Sequence, residues 1–301
     1  MDASSKKVIF AALAGNSLIA ITKFIAAVIT GSSAMMSEGI HSLVDTGNQG
    51  LLLYGLKRAK QPADEQFPFG YGKEIYFWSF VVALLVFALG AGISIYEGVH
   101  HILHPEPIKS VLINYIVLSL AILFEGAAWY FAFTEFKKTK GDRGFIGEIR
   151  GGKDPTLFVV LFEDSAAMLG LVVAFVGVWL TQVTGILYFD GIASVIIGLI
   201  LTAVAFWLAF ETKGLLIGES ARNEVVSGIR TLVSGYAEVN KVGEVLTMHM
   251  GPDFILVNIS VDYCGDIPAG RVETLSAELN EAIKQRFSKV RRVFIDSRSI
   301  A

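Results

Sequence analysis

Cysteine is almost absent. Cys264 is the single one, so the chain can form no intramolecular disulfide and no thiolate metal cluster. Charge is scarce as well: Asp, Glu, Lys and Arg make up 18% of the 301 residues. With 53% hydrophobic residues and a mean hydropathy of +0.57, the chain is too apolar for an ordinary soluble protein. Neither sign of charge is in excess. A net charge of −3 and a pI near 6.0 give no basis for a nucleic-acid partner. No G-x-x-x-x-G-K-[ST] loop is present, which argues against a pump with its own nucleotide site. No H-E-x-x-H is present either, which weakens a membrane-embedded metal hydrolase. Internal repeats and low-complexity tracts are missing. Lys6-Lys7 before an apolar run imitates a signal peptide, but no small-residue cleavage site follows. The expectation is a retained first span.

What is present is apolar length. Six segments can cross a bilayer: about 8–29, 34–56, 75–103, 111–134, 156–182 and 186–211. The connections between them are asymmetric. Twelve basic residues lie on one side: Lys6, Lys7, Lys57, Arg58, Lys60, Lys73, Lys137, Lys138, Lys140, Arg143, Arg150 and Lys153. The other side has Lys109. Basic loops stay in the cytoplasm, so both termini are expected there, in the inner membrane if the source is bacterial. Asp154-Pro155 reads as an N-cap and first-turn proline opening the fifth span. Gly90 and Gly92 in the third span are expected to permit close helix approach.

After Lys213 the composition becomes that of a soluble domain. Helix 223–236, strands 242–250 and 254–263, helix 271–287 and strand 292–297 follow in turn. This α-β-β-α-β order suits a small ferredoxin-like α+β domain, two helices on a three-stranded sheet. The expected fold is thus an α-helical membrane protein with six transmembrane helices and a cytosolic α+β domain. The expected divisions are 1–212 for transport and 213–301 for the cytosolic part.

The second span carries the chemistry. Within Ser37-Glu38-Gly39-Ile40-His41-Ser42-Leu43-Val44-Asp45-Thr46-Gly47-Asn48, His41 and Asp45 are four residues apart. On a helix both point to one face, and Glu38 and Asn48 extend that face by three residues each way. An ionisable group at membrane depth costs roughly 2.5–3.5 kcal/mol and marks function by default. An imidazole and a carboxylate one turn apart can share a divalent cation. A core histidine bonded to a neighbouring helix is the bland alternative for His41. Lys23 in the first span either pairs with a carboxylate such as Glu38 or snorkels to an interface. Glu125 in the fourth span reads as a packing or proton-pathway group. Glu163 and Asp164 lie near the start of the fifth. His100, His101 and His104 leave the third span next to prolines, as amphipathic interface residues or as metal collectors. His249 on a strand reads as structural.

Together these features resemble the cation diffusion facilitator family over nearly the whole chain. Thr30-Gly31-Ser32 before Ser37-Glu38-Gly39 is similar to the family's entry to its second helix. Phe69-Gly70-Tyr71-Gly72-Lys73-Glu74 resembles its F-G-H-G-K-x-E loop, and Asp190-Gly191-Ile192-Ala193-Ser194 its D-P-I-A-S start. Asp154-Pro155 followed by Leu161-Phe162-Glu163-Asp164-Ser165 is similar to the zinc transporter 9 branch.

The resemblance implies an ion site between the second and fifth helices, with His41, Asp45 and Asp164 as ligands. The fourth family ligand would fall at Val160, which cannot bind metal, so Glu163, Glu125 or a water must complete the shell. Tyr71 replaces the loop histidine, and the C-terminal domain has only His249. The implied activity is not enzymatic. It is Zn²⁺ efflux by exchange for H⁺, with Mn²⁺ or Fe²⁺ as alternatives, no prosthetic group, and a homodimer in the lipid bilayer. A non-transporting scaffold is the remaining rival.

Overall fold

The computed structural model describes residues 3–140, 155–265 and 267–298. Six helical rods correspond to the six apolar segments. They are α1 (Ala3–Thr30), α2 (Ser33–Ala59), the rod of α3 (Glu74–Leu85) and α4 (Gly92–Leu103), α5 (Val111–Lys140), α6 (Pro155–Thr184) and α7 (Tyr188–Ile217). A π turn, Val86–Ala91, joins α3 to α4 without breaking the rod. The basic, glycine-rich connection before α6, and the expected cap Asp154, lie outside the described residues. By length and composition four rods are apolar enough to cross a membrane: Glu74–Leu103, Val111–Thr134, Phe158–Thr184 and Tyr188–Ile217. α2 fails that test because its interior carries Glu38, His41, Asp45, Asn48 and Gln49. On α1, Leu18, Ile21, Ile25 and Val28 form an exposed apolar stripe at helical spacing, as a lipid-facing helix requires.

The helices are stitched together by small and polar residues where hydrophobicity cannot distinguish protein from lipid. The close approach expected at Gly90 and Gly92 falls instead at Gly98. A Cβ on Gly98 would lie 2.7 Å from the Gly191 carbonyl oxygen, and one on Gly191 would lie 2.9 Å from that of Gly98. At Gly90, in the π turn, the nearest atom would be the Leu201 Cδ1 at an ordinary 3.4 Å. Asp190, at the start of α7, is fully buried. It accepts a hydrogen bond from Ser32 Oγ at 2.6 Å and from the Ser33 amide at 2.5 Å. It thereby caps α2 across the bundle, an anion at the positive end of a helix. One turn further, Ser194 Oγ lies 2.5 Å from Ser37 Oγ and donates to the Ser94 carbonyl at 2.8 Å. α7 is therefore more than the packing helix its apolar sequence suggests.

The C-terminal part has its own hydrophobic core, built on Ile229, Val233, Val257, Ile259, Leu275, Leu279 and Ile283. α8 (Asn223–Ser234), β1 (Val239–Gly251), β2 (Phe254–Tyr263), α9 (Ala269–Arg286) and β3 (Val290–Ser297) follow the expected order. The sheet order is β1-β2-β3, with β1 antiparallel and β3 parallel to β2.

This domain is docked on the α2–α3 loop. Lys73 Nζ lies 3.8 Å from Met248 Sδ of β1, and it also donates to the Leu216 carbonyl at the end of α7 at 3.4 Å. A side chain on Gly72 would collide with the Met250 carbonyl oxygen. Gly72→Ala is therefore expected to loosen the docking, at roughly the 1–3 kcal/mol of an overpacked contact. Limited proteolysis at the 218–222 connection should then run several-fold faster. An unchanged cleavage rate would show that the contact does not hold the domain.

Candidate functional site

α2, α6, α1 and α5 meet around the polar face of α2. His41 is completely buried, and its Nδ1 lies 3.3 Å from Asp45 Oδ1. The one-turn spacing thus brings the two side chains together. Among the described residues neither ring nitrogen of His41, nor Asp45 Oδ1, has a hydrogen-bond partner. Buried polar atoms left open in this way are what a ligand fills, since leaving each one unpaired costs about 1–3 kcal/mol.

Asp45 opens into a cavity of about 250 Å³ that is also lined by Asp164, Glu125, Asn16, Gln49 and Val160. The expected partners from the second and fifth spans therefore face one space. His41 lies behind Asp45 and does not line it. Glu163, next to Asp164 in sequence, points elsewhere. Its Oε1 accepts from Asn48 Nδ2 at 2.6 Å. The roughly 100° between successive helix residues separates the two acids. Among the described residues no three histidine, cysteine or acidic side chains converge as a formed metal site. The arrangement is an open one, with donors around a cavity.

Lys23 is buried to 0% exposure and does not snorkel. Its Nζ donates to Glu38 Oε2 at 3.0 Å, to Ser42 Oγ at 2.8 Å and to Glu125 Oε1 at 2.7 Å. Three donors on one ammonium meet three acceptors from two helices, the full complement of a lysine. The expected Glu38 pairing is present, and Glu125 is a second anion on the same cation. Sequence reasoning gave no role to Ser42 or Gln49. Both lie one turn from Asp45, and that spacing is the signal that could have found them. Glu38 fits because α6 has Gly170 opposite, where a Cβ would collide with Glu38 Oε1.

The α2–α3 loop has exchanged its metal ligand for an organic support. Where the resemblance puts histidine, the Tyr71 hydroxyl donates to Asp64 Oδ2 at 2.7 Å, and the Arg58 guanidinium lies 5.0 Å from the Tyr71 ring centre. The Tyr71 bond, with the Phe67 amide, holds the Asp64 carboxyl below its usual range. This contribution is present at neutral pH and is lost only as pH falls through the lowered value. Glu74 pairs with Arg58 at 3.1 Å, tying the start of α3 to α2. His249 is buried in β1.

A polytopic helical bundle with buried acids and an imidazole at membrane depth defines an integral membrane protein that handles cations. Comparison with known proteins makes this specific. A family profile described as the cation efflux transmembrane domain matches residues 9–217, and the chain belongs to that family, the cation diffusion facilitators. It is 33% identical to the human proton-coupled zinc antiporter SLC30A9, mitochondrial, over 289 residues, 95% of this chain and 50% of that protein. It is 30% identical to metal tolerance protein C4 of Arabidopsis thaliana, over 88% of this chain and 59% of that one. It is also 22% identical to the manganese efflux system protein MneP of Bacillus subtilis, over 97% and 95%. The chain spans about half the length of the SLC30A9 relatives it matches. These relatives bear out the family and the zinc transporter 9-like branch. The family is one of cation transporters and not of enzymes.

Proposed function

We propose that this protein is a secondary active carrier that exchanges Zn²⁺ for H⁺ and moves the metal out of the cytoplasm. The observation that carries the reading is the paired His41–Asp45 face of α2, with Asp45 and Asp164 in one cavity. Metal needs the imidazole neutral and the carboxylates ionised, so protons and metal exclude each other at the same atoms. Affinity then rises with pH, and each bound ion displaces protons. A proton gradient pulls metal the other way as the site is presented alternately to the two sides. The name of the SLC30A9 relatives supports this choice of ions. The cytoplasmic placement rests on the basic loops. The α2–α3 connection, with Lys57 and Arg58 at the end of α2 and Lys60 and Lys73 after it, packs on the C-terminal domain through Gly72 and Lys73, so the two share a face of the membrane.

A second reading, Mn²⁺ or Fe²⁺ as cargo, has its own observation. The cavity is lined by Asp45, Asp164 and Glu125 and by no histidine, and hard oxygen donors suit these ions. Purified protein in vesicles with an imposed pH gradient, supplied with Zn²⁺, Mn²⁺ or Fe²⁺, separates the readings. No gradient-driven movement of any of them would reject both, and leave a scaffold.

The two neighbouring acids of α6 have different parts in this reading. Glu163, held by Asn48 away from the cavity, is a proton carrier, whereas Asp164 faces the ion. Glu163→Gln is expected to keep Zn²⁺ binding within a few-fold and to flatten the dependence of transport on pH between 6 and 8. Asp164→Asn should lose both. Titrating Zn²⁺ affinity and vesicle transport across that range checks the difference. Equal loss of binding in the two variants would make Glu163 an obligatory ligand.

A further inference from the structure

A second polar cavity lies at the opposite end of the bundle from the C-terminal domain. It encloses about 180 Å³ between the α1–α2 junction and the end of α4. Ser33, Glu97, His100, His101, His104 and Glu106 line it. Three of the five histidines of the chain stand in this one stretch. Glu97 and His101 are one turn apart on α4, and His104 is the residue at which the helix ends.

His101 sets the cavity apart from an ordinary amphipathic helix end. It is only 7% exposed, and among the described residues neither of its ring nitrogens has a hydrogen-bond partner. Its nearest anion is Asp190 Oδ2 at 3.9 Å, an atom already bonded to the Ser33 amide. Ser33 Oγ is also buried without a partner among the described residues. A buried imidazole aimed into a polar space and left unsatisfied calls for a ligand. Solvated interface histidines would explain His100 and His104, which are exposed, their rings tilted against each other with centres 5.0 Å apart. They do not explain His101. Imidazole nitrogens with carboxylates are donors for borderline-soft divalent metals. The exposed His104 and the half-buried Glu97 have side-chain freedom to close on an ion that His101 already faces.

We propose that this cavity is a second divalent-metal site, held by His101 with His104 and Glu97, at the end of the bundle away from the C-terminal domain. Its use as a station for the ion after the central cavity rests on the transport reading. The binding itself does not, so the test is made without transport.

In the full chain, Asp45→Asn with Asp164→Asn silences the central cavity. Co²⁺ titration of that variant, followed by visible absorption and equilibrium dialysis, is expected to show one remaining site per chain. Adding His101→Gln should weaken it at least tenfold. His104→Gln, at an exposed position, should weaken it by a similar factor. No saturable Co²⁺ binding in the silenced protein would overturn the proposal. So would binding that both histidine replacements leave unchanged. Failure of the carrier reading would appear separately, as absent vesicle transport by the unaltered protein.

Discussion

Asp45→Asn is expected to reduce Zn²⁺ transport roughly a hundredfold to five-thousandfold while the protein stays folded. The change is nearly isosteric, but it removes the charge that balances half of a divalent ion. Breaking one partner of a buried charge pair costs about 3–5 kcal/mol, which is that range in an equilibrium constant. Asp45 has an atom at 3.3 Å from His41 and lines the cavity that Asp164 shares, so no neighbour can replace it without moving. His41→Ala should act in the same direction, through the loss of the imidazole behind Asp45. Initial rates of Zn²⁺ entry into vesicles, at matched protein content, measure both. A wild-type rate in either variant would remove α2 from the ion path.

Lys23→Met is expected to have the largest effect on stability. It removes the ammonium from between Glu38 and Glu125 and leaves two carboxylates at membrane depth with no counter-charge. The cost is again about 3–5 kcal/mol for the broken cluster. The melting temperature in mild detergent should fall markedly, or the protein should aggregate. The triple variant with Glu38→Gln and Glu125→Gln should recover most of that loss, because an amide asks far less of its surroundings than an ion. Recovery of stability without recovery of transport would separate the structural from the functional share of the cluster. If Lys23→Met alone melts like the unaltered chain, the ion cluster contributes nothing to the fold.

The site was legible where its logic is local. His41 and Asp45 meet because four residues make one helical turn, and this is visible in any sequence read as a helix. The Lys23–Glu38 pair was reachable because adjacent helices joined by a short turn must pack together. Glu125 could not be given its place on the same cation, since it lies 102 residues from Lys23 and only the packing of α5 brings it in. The same holds for Asp190, whose partners on α2 are 158 and 157 residues away. Glu163 and Asp164 show a different limit. Their 100° separation was evident, but which acid faces the cavity depends on how α6 is rotated. That rotation is set by small residues such as Gly170, whose missing side chain has no hydropathy signature. The C-terminal strands and helices were legible because alternation and amphipathic spacing are local. Their docking through Gly72 was not, because it is made by backbone against backbone.

The Asp190 cap and the Ser37–Ser194–Ser94 chain also constrain how the proposed carrier can change shape. Both join the start of α2 to α7, and the second reaches α4. The three helices consequently form one stiff frame at that end of the bundle, with no sliding seam inside it. α1 and α5 stand outside the frame, tied to each other by Lys23 and Glu125. Any swing of α1 and α5 against the frame must stretch or break the 3.0 Å contact between Lys23 and Glu38 and the 2.8 Å contact to Ser42. In the proposed carrier the lysine is then a latch as well as a counter-ion, and its grip on α2 adds to the barrier between the two orientations.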